Sequence, residues 1–195
     1  MNIGVLGGSF DPPHYGHLKI ARRALKKLSL DIVLFVPCSK HTLKGHQPIA
    51  SDFDRANMVA LLTAGQINFI VEPMELLRGG ISYTVETLDV LKTRYGNGSD
   101  LYFLMGDDSY ENFSSWKDPQ KIREYSTIVV FPRKYDEVKL QDCRDKLIKI
   151  KRINISSSQI REKIEKNNAV KKYVPELVYE YLLKRRIYRR VDETN

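Results

Sequence analysis

Short, unbroken apolar runs alternate along this chain with longer stretches of helical periodicity, and that alternation constrains the fold more than any other feature. Strand-like runs occur at Asn2–Leu6, Ile32–Val36, Ile67–Val71, Leu101–Met105 and Thr127–Phe131, with a weaker one at Lys149–Ile153. Each is continuous rather than alternating, the pattern of strands covered on both faces. Between them, Leu18, Ala21, Leu25 and Leu28 recur at helical spacing, as do Val85, Leu88 and Leu91. Asp52 or Asp54 is placed to cap a helix over Arg55–Thr63. Two further helices are expected near Ser158–Glu165 and Pro175–Lys184, the second with Val178, Leu182 and Leu183 as its apolar stripe. The pattern predicts an α/β fold, a doubly wound, Rossmann-like parallel sheet with helices on both faces and C-terminal helices. Ligands of such folds bind outside the carboxyl ends of the strands.

The length, 195 residues, suits one domain over 1–190, with 191–195 expected as a flexible tail. The longest apolar run, Ile32 to Cys38, is far below the roughly 20 residues of a membrane span, so no membrane partner is expected. Residues 1–10 show neither a basic leader nor a cleavage site. Cys38 and Cys143 are the only cysteines, which excludes a disulfide framework and a Cys-rich zinc site and favours a cytoplasmic location. Charge is uneven. Residues 144–195 hold 15 basic and 7 acidic side chains, so the whole net charge of +8 lies there. Such an excess can attract phosphate-rich partners, but a pair of solvated helices is the plainer reading.

The chemistry is concentrated in Gly7-Gly8-Ser9-Phe10-Asp11-Pro12-Pro13-His14-Tyr15-Gly16-His17, between the first strand and the first helix. There a doubly wound fold aims backbone N–H groups and a positive helix end at phosphate. Gly7 and Gly8 permit close backbone approach to an anion, and Asp11-Pro12-Pro13 forms a stiff turn. His14 and His17 should project on one helix face, where imidazoles can donate to phosphate oxygens and steady developing charge. GxGxxG and GxxxxGK[ST] are both absent, so this is neither a dinucleotide fingerprint nor a P-loop. A metal site on His14, His17 and Asp11 is conceivable, but no further ligand cluster accompanies it, and no protein-held metal is expected.

The run Gly-x-Phe-Asp-Pro-x-His-x-Gly-His resembles the signature of the nucleotidyltransferase superfamily related to class I aminoacyl-tRNA synthetases. A second hallmark of that superfamily is similar to Ile155-Ser156-Ser157-Ser158-Gln159-Ile160-Arg161. Within it, Arg78, Ser82-Tyr83-Thr84-x-x-Thr87-Leu88, Gly106-x-Asp108, Trp116-Lys117, Arg133 and the stretch from Tyr173-Val174-Pro175 to Ile187-Tyr188 most resemble bacterial nicotinate-nucleotide adenylyltransferases. Three departures stand out. The loop after the second strand, usually ending Pro-Pro-His-Lys, reads Pro37-Cys38-Ser39-Lys40-His41-Thr42-Leu43-Lys44, so only Lys44 keeps its place. Asp107 replaces a commonly small residue, and Ser158 stands for threonine.

The resemblance implies adenylyl transfer from ATP to nicotinate mononucleotide, with deamido-NAD and pyrophosphate as products and Mg²⁺ accompanying the ATP. The acceptor phosphate attacks directly, so no protein nucleophile is required. It further implies that Gly7, Gly8, Ser9, Phe10, His14, His17, Ser157, Ser158 and Arg161 form the ATP side, His14 and His17 being catalytic. Lys44, Ser82, Tyr83, Thr84, Asp108, Trp116 and Arg133 would form the acceptor side. Alternatives are a sister enzyme using nicotinamide mononucleotide or phosphopantetheine and, from another class, a basic nucleic-acid-binding protein. The last lacks a recognised module, so nucleic acid is not the expected partner. The oligomeric state stays open.

Overall fold

Strands β1 (Asn2–Gly8), β2 (Ile32–Pro37), β3 (Phe69–Val71), β4 (Asp100–Gly106), β5 (Ser126–Phe131) and β6 (Lys146–Leu147) form one parallel sheet in the order β3-β2-β1-β4-β5-β6. The computed structural model describes residues 1–40, 47–96, 98–132, 138–150 and 155–189. Alternate strand residues feed two separate cores, as continuous apolar runs require. Leu6, Val33, Phe35, Leu104, Val129 and Phe131 pack on one face, under α1 (Tyr15–Lys27), α2 (Asp52–Thr63), α7 (Ser157–Glu165) and α8 (Glu176–Arg185). Ile3, Val5, Leu34, Phe103, Met105 and Ile128 pack on the other, under α4 (Thr84–Tyr95), α5 (Asp107–Glu111) and α6 (Pro119–Tyr125). A short α3 (Met74–Arg78) precedes α4, and a 3₁₀ turn, Phe113–Ser115, follows α5.

Two details differ from the sequence reading. The weak run at Lys149–Ile153 is not the sixth strand; β6 lies three residues earlier, where Lys146 and Leu147 pair with Val129 and Val130. Residues 151–154 lie outside the described residues. Neither Asp52 nor Asp54 caps α2. Ser51 does, its hydroxyl accepting from the Asp54 N–H at 3.1 Å, which leaves both aspartates in the first turn facing the positive helix end.

The chain reverses its strand order between β1 and β4, whose carboxyl ends form the switch point where such folds bind ligands. The loop after Gly8 and the turn at Gly106–Asp108 flank it. No helix among the described residues is long and apolar enough to cross a membrane.

Candidate active site

His14 is the N-cap of α1 and His17 its third residue, and together they form a reciprocal capping box. The Gly16 N–H donates to His14 Nδ1 at 3.0 Å, and the His14 N–H donates to His17 Nδ1 at 3.1 Å. The ring centroids lie 4.0 Å apart, on one face as expected. A ring nitrogen that accepts a backbone N–H carries no proton, so the hydrogen of each imidazole sits on Nε2. Both rings are thereby fixed as Nε2–H donors. The sequence reading is corrected on one point: the first amides of α1 do not await an anion. Tyr15 N–H donates to Tyr173 O, Gly16 N–H to His14 and His17 N–H to His14 O.

Gly16 is required by this arrangement. A Cβ there would lie 2.5 Å from His14 Cε1 and 2.6 Å from Nδ1, so the ring would have to leave. Gly16→Ala is expected to forfeit the cap, about 1 kcal/mol, and to lower Tm by about 2–4 °C in thermal denaturation.

The signature loop is held from four directions. The buried Asp11 carboxylate accepts from Ile49 N–H and Ala50 N–H, both at 2.9 Å, and from the Tyr188 hydroxyl at 2.7 Å. Burial first, and then the Asp11 charge, push the Tyr188 phenol far above its usual range, so it stays a donor. Arg161 Nη1 donates to Asp11 O at 2.6 Å and lies 3.5 Å from Asp11 Oδ2. Ser157 Oγ donates to Pro12 O at 2.8 Å. The two distant motifs thus meet, and Asp11 anchors the loop. Ser158 is exposed, its hydroxyl 3.4 Å from Arg161 Nη2. Phe10, at φ 48°, is buried between His17 and Phe35 and backs the His17 ring at 5.0 Å. Gly7 is exposed and Gly8 and Ser9 half-buried along the loop.

On the other flank, Ser82, Tyr83 and Thr84 lead into α4, whose N-cap, Tyr83, makes no side-chain cap bond. Lys117 Nζ sits 4.3 Å over the Tyr83 ring and 2.8 Å from Glu86, which also faces Arg78 at 3.4 Å. The Trp116 ring packs on Phe103 and Phe113, and its indole N–H is buried without an acceptor among the described residues. Asp108 is exposed in the first turn of α5, beyond β4. Lys44 and Arg133 lie outside the described residues. Among those described, no group of three or more His, Cys, Asp or Glu side chains could hold a metal ion.

Sequence reasoning passed over Glu75 and Arg55. Burial is the largest influence on Glu75 and raises its carboxyl above 4.5, against hydrogen bonds from Thr87 and Ser82 that lower it. Its folded pKa exceeds its unfolded one, so the folded state binds the extra proton, and stability falls as pH rises through that window. Glu75→Gln should lack this decline: the Tm gap between wild type and variant should move in the variant's favour from pH 4.5 to pH 7.5. Arg55 carried a signal. It occupies the first position of the i, i+3, i+4, i+7 stripe completed by Met58, Val59 and Leu62, a charged residue on a buried face.

Residues 5–163 match the cytidylyltransferase-like family. A relative from Dictyoglomus turgidum named "Probable nicotinate-nucleotide adenylyltransferase" is 39% identical, over 99% of this chain and 98% of its own. A second of that name, from Dictyoglomus thermophilum, is 37% identical over 96% of this chain and 100% of its own. The fold matches that of the Plasmodium falciparum nicotinic acid mononucleotide adenylyltransferase complexed with NaAD, with a TM-score of 0.80, 23% identity and coverage of 96% and 97% of the two chains. Extensive identity at nearly full length, joined to paired histidines at a parallel-sheet switch point, places the chain in the cytidylyltransferase-like family, among its nicotinate-nucleotide adenylyltransferases.

Proposed function

We propose that the protein transfers the adenylyl group of ATP to nicotinate mononucleotide, forming deamido-NAD and pyrophosphate. An oxygen of the acceptor phosphate attacks the α-phosphorus; that bond forms as the bond from the α-phosphorus to the bridging oxygen breaks, and pyrophosphate leaves with the electron pair. The observation that carries this reading is the fixed pair of Nε2–H imidazoles held over the β1 loop, beside an uncapped helix start on the opposite flank.

Catalysis then consists of aligning two polyanions and neutralising developing charge. Gly7, Gly8 and Ser9 line the triphosphate. His17, the more exposed of the two rings, donates to it at the reacting phosphate, and His14 donates alongside. Arg161, Ser157 and Ser158 grip the phosphates from α7 while holding the loop in shape. Mg²⁺ on the ATP phosphates would supply further neutralisation. On the acceptor side, Trp116 and Tyr83 offer ring faces to the pyridine, Asp108 accepts from a ribose hydroxyl, and the amides at Thr84 receive the carboxylate. A cytoplasmic location agrees with two cysteines that form no disulfide.

The test is pyrophosphate release from ATP with a panel of phosphate acceptors. Turnover is expected with the pyridine mononucleotide. Turnover with phosphopantetheine alone, or with no acceptor in the panel, would overturn the reading.

A further inference from the structure

We infer that Arg55 is a positioning residue that keeps the ATP-side loop and the acceptor rim in register. The inference rests on the two-substrate reading above. Arg55 is fully buried, yet Asp52, its ion-pair partner among the described residues, is 47% exposed. A guanidinium buried as a simple ion pair would have its carboxylate buried with it. Here the fork goes instead to backbone carbonyls of two separate loops. Nη1 donates to Ser9 O at 2.8 Å, beyond β1, and to Cys38 O at 2.6 Å, beyond β2. Nη2 donates to Ser39 O at 3.3 Å and to the Asp52 carboxylate. Nε is buried with no acceptor among the described residues.

The path continues from Ser39. Its N–H donates to Ser82 Oγ at 3.1 Å, and its own hydroxyl donates to Asp52 at 3.1 Å. The chains on either side pair as a short parallel bridge, Lys40 N–H to Gly80 O and Ser82 N–H to Lys40 O. Ser82 and Thr87 in turn donate to the buried Glu75 carboxylate, which ties the rim to the first turn of α4. One planar fork therefore ties the loop after β1 to the loop after β2, and Ser39 carries that tie on to Ser82 at the entry to α4. Lysine, with a single nitrogen, cannot serve four acceptors in a plane. In-line attack requires reacting atoms about 3–3.5 Å apart and aligned, and a misplacement of about 1 Å costs about a hundredfold.

The experiment compares wild type, Arg55→Lys, Asp52→Asn, Ser82→Ala and the Arg55→Lys/Ser82→Ala double variant. Calorimetry gives Kd for ATP alone in every variant, and for nicotinate mononucleotide alone in Arg55→Lys and Asp52→Asn; pyrophosphate release gives kcat. In Arg55→Lys each Kd is expected within about threefold of wild type while kcat falls at least about thirtyfold. Asp52→Asn should show the same split with a smaller loss. The double variant should turn over no more slowly than the worse single variant, because both changes break one path. Should Arg55→Lys fail to fold, Asp52→Asn takes its place in the same cycle. Losses that multiply, or a kcat loss matched by weaker ATP binding, would overturn the coupling. An inactive wild type would overturn the functional reading, and this inference with it; an active wild type with multiplying losses removes the coupling alone.

Discussion

Replacing His17 with alanine is expected to lower kcat by about 10²–10³-fold, the usual loss when a donor aimed at developing charge is removed. The geometry makes this loss separable from a folding defect. His17 does two things at once: Nδ1 accepts the His14 N–H, and Nε2–H faces away from the helix start as a donor. Alanine removes both, and the cap is worth about 1 kcal/mol of stability. Glutamine at the third helical position of a capping box restores the acceptor without restoring an imidazole. His17→Gln should therefore recover the thermal midpoint lost in His17→Ala and leave kcat low. Recovery of kcat along with Tm would mean that the ring acts only as a cap.

Nicotinate mononucleotide is expected to be used with kcat/KM at least about a hundredfold above nicotinamide mononucleotide. Helix α4 begins without a side-chain cap from Tyr83, so its leading amides suit an anion placed at that end. A carboxylate accepts from more than one N–H there. A carboxamide offers one oxygen and turns its own hydrogens toward fixed donors. Each mismatch costs about 1–3 kcal/mol, and two of them account for the ratio. Trp116→Ala should depress both acceptors equally, because a ring face does not read the substituent. Comparable wild-type rates with the two acceptors would show that the start of α4 does not read the carboxylate.

The parallel sheet was legible because strands buried on both faces must be apolar at every position. β1, β2, β4 and β5 each lie within two residues of their expected bounds. β6 escaped because a two-residue edge strand containing Lys146 carries no such run. α3, α5 and α6, of 5, 5 and 7 residues, are too short to show helical periodicity. At the site, the spacing of His14 and His17 gave their shared face, but not that their Nδ1 atoms would cap the helix. Asp11 drew notice as part of a turn and as a conceivable metal ligand, not as an anchor. Its partners, Ile49, Ala50 and Tyr188, are distant in sequence, and no local pattern announces them. The stripe of α2 marks the burial of Arg55, but the acceptors of its fork depend on where the loops after β1 and β2 converge.

The strand order also sets a schedule for folding. β1, which leads into the signature loop, is flanked by β2, whose first residue is Ile32, and by β4, where Asn2 lies opposite Asp100. One of its edges is satisfied early in synthesis; the other waits until nearly a hundred residues exist. During that interval the central strand of the molecule presents open N–H and C=O groups along an apolar ribbon, the kind of edge that recruits other chains. Pairing across so long a loop is intrinsically slow. The histidine-bearing turn at the end of β1 is anchored later still, since Ser157, Arg161 and Tyr188, which hold it, lie C-terminal to every strand of the sheet.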